Sequence, residues 1–202
     1  MECAARLNKI IETVCPKFPH AGYTTFENKT QLDALKSTNV HFTTSVPGMN
    51  AISHQIEEEA ASFGMPFRFY SAFQKFSRVR PQARRYVRIL QTHNPLFLFG
   101  VPDVVLWKAP NLIEVTLDEP LVPGYPYLAN NWFVVLYNPD FTSMALVSRE
   151  VDGFFGAPLP IHKREFEGFW TYDQAVISQV VELLDEYIEE RVDATQPLVA
   201  SF

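Results

Sequence analysis

From Met49 to Phe76 the chain changes its hydrophobic period from helix to strand. Ile52, Ile56, Ala60 and Phe63 recur at i, i+4, i+8 and i+11, one stripe of an α-helix. Asn50 is placed to cap that helix, Gly64 to end it in a left-handed turn, and Pro66 to prevent its continuation. Beyond the stop, Phe67, Phe69 and Phe73 share one parity, with Arg68, Tyr70 and Gln74 on the other, which predicts a strand with one apolar face. This helix–strand unit is the piece on which its neighbours are expected to pack.

Earlier, Leu7, Ile10, Ile11 and Val14 predict a short helix within residues 4–14, ended by Pro16 and Pro19. Leu32 and Leu35 suggest a further helical turn, residues 39–46 a strand, and Pro47-Gly48 a turn into the central helix. After Phe76, Pro81 suits a first helical turn; Ala83, Tyr86, Val87 and Leu90 then form an inner face, with Arg84, Arg85 and Arg88 outside. Residues 96–100 and 112–117 read as strands. Residues 132–137 and 144–151 form a hairpin about Asn138-Pro139-Asp140, followed by a loop through Gly153, Gly156 and Pro158. The last helix, 172–191, opens with Thr171-Tyr172-Asp173-Gln174 in a capping-box pattern. Eight of its thirteen positions 176–188 are apolar, more than one face needs, so it is expected to pack on the core and on a second subunit. The fold class expected is α+β: a single domain with a mixed or mainly antiparallel sheet of about five strands, flanked by helices. Residues 1–44 read as an extension, 45–192 as the domain and 193–202 as a tail.

Composition narrows the function. Hydrophobic residues make up 47% and charged residues 20% of the chain, which argues against disorder. Seventeen basic against twenty-three acidic residues, a net charge of -6, argue against a nucleic-acid binder. No apolar run is long enough for a membrane span, and the N-terminus lacks the apolar core of a signal peptide. Cys3 and Cys15 are the only cysteines, so a cytosolic, reducing compartment is expected and the Asn28-Lys29-Thr30 sequon is read as chance. The eight glycines form no phosphate-binding pattern, and there is no nucleophile elbow, zinc-ligand spacing or His-Glu-x-x-His. The pattern specifies no metal and no cofactor.

Three features could carry chemistry. His54, Glu57 and Glu58 lie along one helix face; they form either a solvated polar face or a set with a buried Glu57 that holds a ligand or a backbone group. Seven Lys/Arg lie between Arg68 and Arg88, and no acid occurs between Glu59 and Asp103. The last helix is acidic, with Glu182, Asp185, Glu186, Glu189 and Glu190. The two runs complement each other within the fold, or the arginines meet an anionic ligand or acidic partner. The aromatic residues, among them Phe63, Phe67, Phe69, Phe73, Phe76, Tyr86, Trp132 and Trp170, fill a core or line a pocket for a planar ligand. The candidate pocket is Glu57, Arg85, Tyr86, Trp132 and Trp170. Arg84, Arg88, Tyr187 and Ile188 are the candidate partner-binding residues.

Six phrases occur in an order that resembles the DICT sensory domain, a family named for its association with diguanylate cyclases and two-component systems. They are Ser53-His54-Gln55-Ile56-Glu57, Phe73-Gln74, Arg85-Tyr86 with Leu90, Phe99-Gly100-Val101-Pro102-Asp103, Trp132-Phe133-Val134-Val135, and Phe166-Glu167-Gly168-Phe169-Trp170-Thr171. Together they cover roughly residues 45–190, and Asn131 stands where the pattern has an acidic residue. The resemblance implies a non-enzymatic input module, frequent in photosynthetic bacteria, that responds to a light- or nucleotide-linked signal through a separate output protein. Three other readings stay open: an adaptor without a small ligand, a hydrolase built on His54 and Glu57, and a nucleic-acid binder using the arginines.

Overall fold

The computed structural model describes residues 2–23, 38–122, 125–151 and 163–191. The helical turn at Leu32 and Leu35, the Asn28 sequon, the loop through Gly153, Gly156 and Pro158, and the 193–202 tail lie outside these residues. Among the described residues four helices and eight strands follow one another as α1 (Glu2–Val14), β1 (His20–Tyr23), β2 (Val40–Ser45), α2 (Val46–Ser62), β3 (Arg68–Lys75), α3 (Ala83–Leu90), β4 (Leu96–Val101), β5 (Leu112–Thr116), β6 (Asn131–Tyr137), β7 (Met144–Glu150), β8 (Glu165–Thr171) and α4 (Gln174–Arg191). Short 3-10 turns occupy Cys15–Lys17, Phe76–Gln82 and Leu128–Asn130.

These eight strands join one mixed sheet in the order β1-β2-β8-β7-β6-β3-β4-β5. β3, β4 and β5 run parallel, as do β1 and β2, while β6, β7 and β8 link the two parallel groups through antiparallel pairings. The expected α+β class holds, but the sheet has eight strands where alternation predicts about five. β1 is only four residues long, and β8 is hidden by Gly168, which interrupts its apolar alternation. That glycine is required: a Cβ there would lie 2.1 Å from Val147 O and 2.6 Å from Ser148 Cα on the neighbouring strand.

Alternate residues of each central strand feed two separate cores. Phe133 and Val135 of β6 pack with Leu7 and Ile11 of α1 and with Ile177, Val180 and Leu184 of α4. Val134 and Leu136 pack on the other face with Ile52 and Ile56 of α2 and Tyr86 and Ile89 of α3. The result is a three-layer body, with helix pairs α1–α4 and α2–α3 on opposite faces. Helix α1 and strand β2, both within residues 1–44 or at their border, belong to these cores and this sheet. Burial on both faces also explains β3. The polar parity expected for Tyr70 is wrong, because Tyr70 is fully buried and stacks on Phe97 with ring centroids 4.9 Å apart.

The hairpin between β6 and β7 forms as expected. Asn138 Oδ1 accepts from the Asp140 and Phe141 amides at 2.8 and 3.0 Å, the side-chain turn that asparagine favours. The start of α4 differs from the capping-box expectation. Asp173 is the cap, its Oδ1 accepting from the Ala175 and Val176 amides, while Thr171 ends β8 and accepts from the Asp173 amide.

Two glycines give a paired test of this packing. Gly168→Ala is expected to cost about 3 kcal/mol or more, since backbone must move to admit the methyl. Gly64→Ala has nothing within 4 Å and no left-handed φ, so it is expected to be neutral or to stabilise by roughly 0.5 kcal/mol. Urea unfolding of both variants checks the difference.

Candidate functional site

The α2 helix starts four residues before the expected cap. Ser45 is the N-cap and Pro47 lies in the first turn, where its missing N–H removes a donor that would have no helical partner. Asn50 is therefore inside the helix and Pro47-Gly48 is not a turn. At the other end the chain leaves through Phe63 in an extended conformation (φ -71°, ψ 113°), so Gly64 is not a left-handed cap. The buried face of α2 is wider than the Ile52–Ile56–Ala60 stripe. It also includes Ser53 and Glu57, which the i, i+3, i+4 geometry brings onto the sheet side.

Glu57 is 2% exposed and is the centre of the site. Its Oε2 accepts from Arg85 Nη1 at 2.7 Å and its Oε1 from the Tyr86 hydroxyl at 2.9 Å. Tyr86 Oη in turn lies 2.5 Å from Ser71 Oγ on β3. With the tyrosine proton directed to the carboxylate, Ser71 donates to Tyr86. Arg85 Nη1 also donates to Gln82 Oε1 at 2.7 Å, and Arg85 Nε and Arg88 Nη1 donate to Glu58. One carboxylate thus joins α2, α3 and the central strand through three elements' worth of polar atoms, within a core of Phe69, Phe73 and Ile56.

Burial holds the Glu57 carboxyl above its ordinary value, against the opposing effects of the Tyr86 hydrogen bond and the Arg85 charge. Burial, followed by the nearby Arg85 guanidinium, holds His54 below the usual imidazole range, which favours its neutral form. Tyr86 is pushed well up by burial and by the adjacent carboxylate, so it keeps the proton that it donates to Glu57.

A cavity of about 10 Å³ lies beside this network, lined by Ser53, His54, Glu57, Ser71, Gln82 and Trp132 among others. It is about the size that admits one water. Trp132 Nε1 donates to Ser53 Oγ at 3.0 Å, and its ring meets Phe166 edge-on, centroids 5.5 Å apart. His54 Nε2 is buried there with no partner among the described residues.

Four of the five predicted pocket residues therefore converge. Glu57, Arg85 and Tyr86 bond directly, and Trp132 lines the same cavity. Trp170 does not: it is fully buried in the α2-side core, its Nε1 has no described partner, and it is absent from the cavity wall. Sequence reasoning missed Ser71 and Gln82. Ser71 carries a legible signal, a lone hydroxyl between Phe69 and Phe73 on the apolar parity of β3.

A second polar node was not foreseen. Glu150 and Arg164, with side chains 1% and 9% exposed, form a two-bond pair at 2.6 and 2.6 Å, and Gln74 adds a third contact to Glu150. Arg164 lies over the Phe166 ring that meets Trp132.

Of the partner-binding candidates, Arg84 and Arg88 are exposed, but Tyr187 and Ile188 are buried against the sheet and α1. The surplus apolar positions of α4 are taken up by those two surfaces inside the chain. A wider groove of about 440 Å³, lined by Lys9, Ile10, Lys17, Phe18 and Val176, contains none of the predicted pocket residues. Burial pushes Cys3 up to about 12 and Cys15 to about 11, so neither supplies a thiolate at neutral pH. Among the described residues no group of three or more His, Cys, Asp or Glu is placed to hold a metal ion, and no helix is long and apolar enough to cross a membrane. Compared with known proteins, the chain matches no family model, no curated protein and no solved structure.

The Glu57 network predicts a pH signature. Because the folded carboxyl holds its proton more tightly than the unfolded one, its contribution to stability is fullest below about 4.5 and declines as pH rises through the higher folded value. Subtracting the pH–stability curve of Glu57→Gln from that of the parent is expected to show this decline. Arg85→Ala leaves the buried carboxylate uncompensated and is expected to cost about 3 kcal/mol at neutral pH, with part of the loss recovered in the Arg85→Ala, Glu57→Gln double variant.

Proposed function

We propose that this chain is a non-catalytic regulatory module in which an anionic ligand competes with Glu57 for Arg85 and so shifts α3 against α2. The observation that carries the reading is the single guanidinium shared by Glu57, Glu58 and Gln82 across the two helices. A carboxylate or phosphate group fits the same planar donor fork and would replace Glu57 at it. The displaced Glu57 takes up a proton more readily than a surface carboxylate, which lowers the cost of releasing it. Such a ligand shifts the helices only in so far as it binds the opened arrangement better than the closed one. The DICT resemblance, with its input role and separate output protein, belongs to this proposal. The one-water cavity favours a second reading, an adaptor that meets a protein partner at the same face and takes no small ligand.

Native mass spectrometry of the protein purified from its own host tests both. The ligand reading expects a bound anionic molecule that is lost at least about tenfold in Arg85→Gln, the change expected from losing a charged hydrogen-bond pair. Hydrogen exchange in residues 83–90 is expected to rise on rebinding. An empty protein under every condition favours the adaptor. Turnover of a metabolite that disappears in a His54→Ala, Glu57→Ala variant overturns the non-catalytic assignment.

A further inference from the structure

The acidic and basic runs do not neutralise each other inside the chain. One ion pair is seen between them among the described residues, Arg68 reaching across to Asp185 at 2.6 Å. Arg84, Arg85 and Arg88 belong to α3 on the opposite side of the sheet, and Arg80 lies in the 3-10 turn that leads into it. There Arg80 and Arg84 are exposed and make no side-chain hydrogen bond or ion pair among the described residues. Arg84, Val87, Arg88 and Gln91 form the solvent stripe of α3, with Val87 43% exposed at its centre. On the far face, Glu182, Glu186, Glu189 and Glu190 form the solvent stripe of α4. Glu186 pairs with Arg6, and the other three have no ion-pair partner among the described residues.

The two stripes match in pitch as well as sign. Arg84 and Arg88 are four residues apart, as are Glu182 and Glu186 and then Glu190, so both are i±4 ridges with charges about 6 Å apart along the helix. Within one chain the sheet and two cores separate them. Between two chains nothing does.

We propose that the basic α3 stripe of one copy docks on the acidic α4 stripe of a second copy. Arg80 and Arg84 then face Glu182, Glu189 and Glu190, and Val87 packs against the exposed Ala175–Gln179 side of the same helix. Because the two surfaces differ and lie on opposite faces, the contact is heterologous. It leaves a free stripe at each end, and association continues with concentration instead of stopping at a dimer. Exposed ion pairs are individually weak, so the contact is reversible and strongly dependent on salt. Arg80 and Arg84, which carry the contact, make none of the bonds of the Arg85–Glu57 site.

Sedimentation velocity of the full chain across a concentration series tests it. Association is expected at low salt and lost at about 1 M salt, where the Debye length is about 3 Å. Arg80→Glu, Arg84→Glu and, separately, Glu182→Lys, Glu189→Lys are each expected to associate at least about tenfold more weakly than the parent. An equal mixture of the two variants restores association, since one now offers an acidic α3 stripe and the other a basic α4 stripe. A parent that stays monomeric at low salt, association unchanged by salt, or a mixture that fails to associate when both variants melt like the parent, each overturns the proposal.

Discussion

The interior of this protein depends on what is done with one carboxylate. Glu57 lies where the helical stripe of α2 meets the sheet, and an ionised side chain in that position is stable only if its oxygens are satisfied. Arg85 and Tyr86 provide the donors, and this fixes the position of α3 relative to α2. Ser71 then positions the tyrosine from β3. The aromatic residues around them exclude water, which makes each of these bonds stronger and their loss more costly. The same arrangement leaves the carboxyl with a raised affinity for a proton, so the element that specifies the packing is also the one most responsive to a competing charge.

The sheet sets the larger frame. Because β3, β4 and β6 are covered on both sides, their polar and apolar parities are both interior, and the two cores are insulated from each other. This is why the charged helices end on opposite outer surfaces although their sequences look complementary. It also explains α4: a helix wedged between a sheet and α1 needs an apolar arc wider than a single contact would require.

Much of this was legible in the chain. The helix at Ile52, Ile56 and Ala60, the strands at Phe69 and Leu96, and the hairpin at Asn138 follow from period and turn chemistry. Glu57, Arg85 and Tyr86 could be nominated as polar anchors among a dense set of aromatic residues. What was not legible depended on contacts distant in sequence. Gly168 conceals β8 because the reason for a glycine there is the backbone of β7. Pro47 suggests a turn because nothing local shows that its N–H would be free anyway. Trp170 looks like a pocket wall until the register places it under α2, and Glu150 has no visible partner until Arg164 is brought beside it.

The Glu150–Arg164 pair has a consequence for the chain between its members. Together with the Val151 amide bonding to Glu165 O at 2.9 Å, it clamps the chain on either side of residues 152–163. A segment whose two ends are pinned side by side can change in length at little entropic expense, since closure grows only with the logarithm of loop size. The fold therefore fixes the junction of β7 and β8 by contacts at the strand ends themselves, whatever the length of chain that joins them.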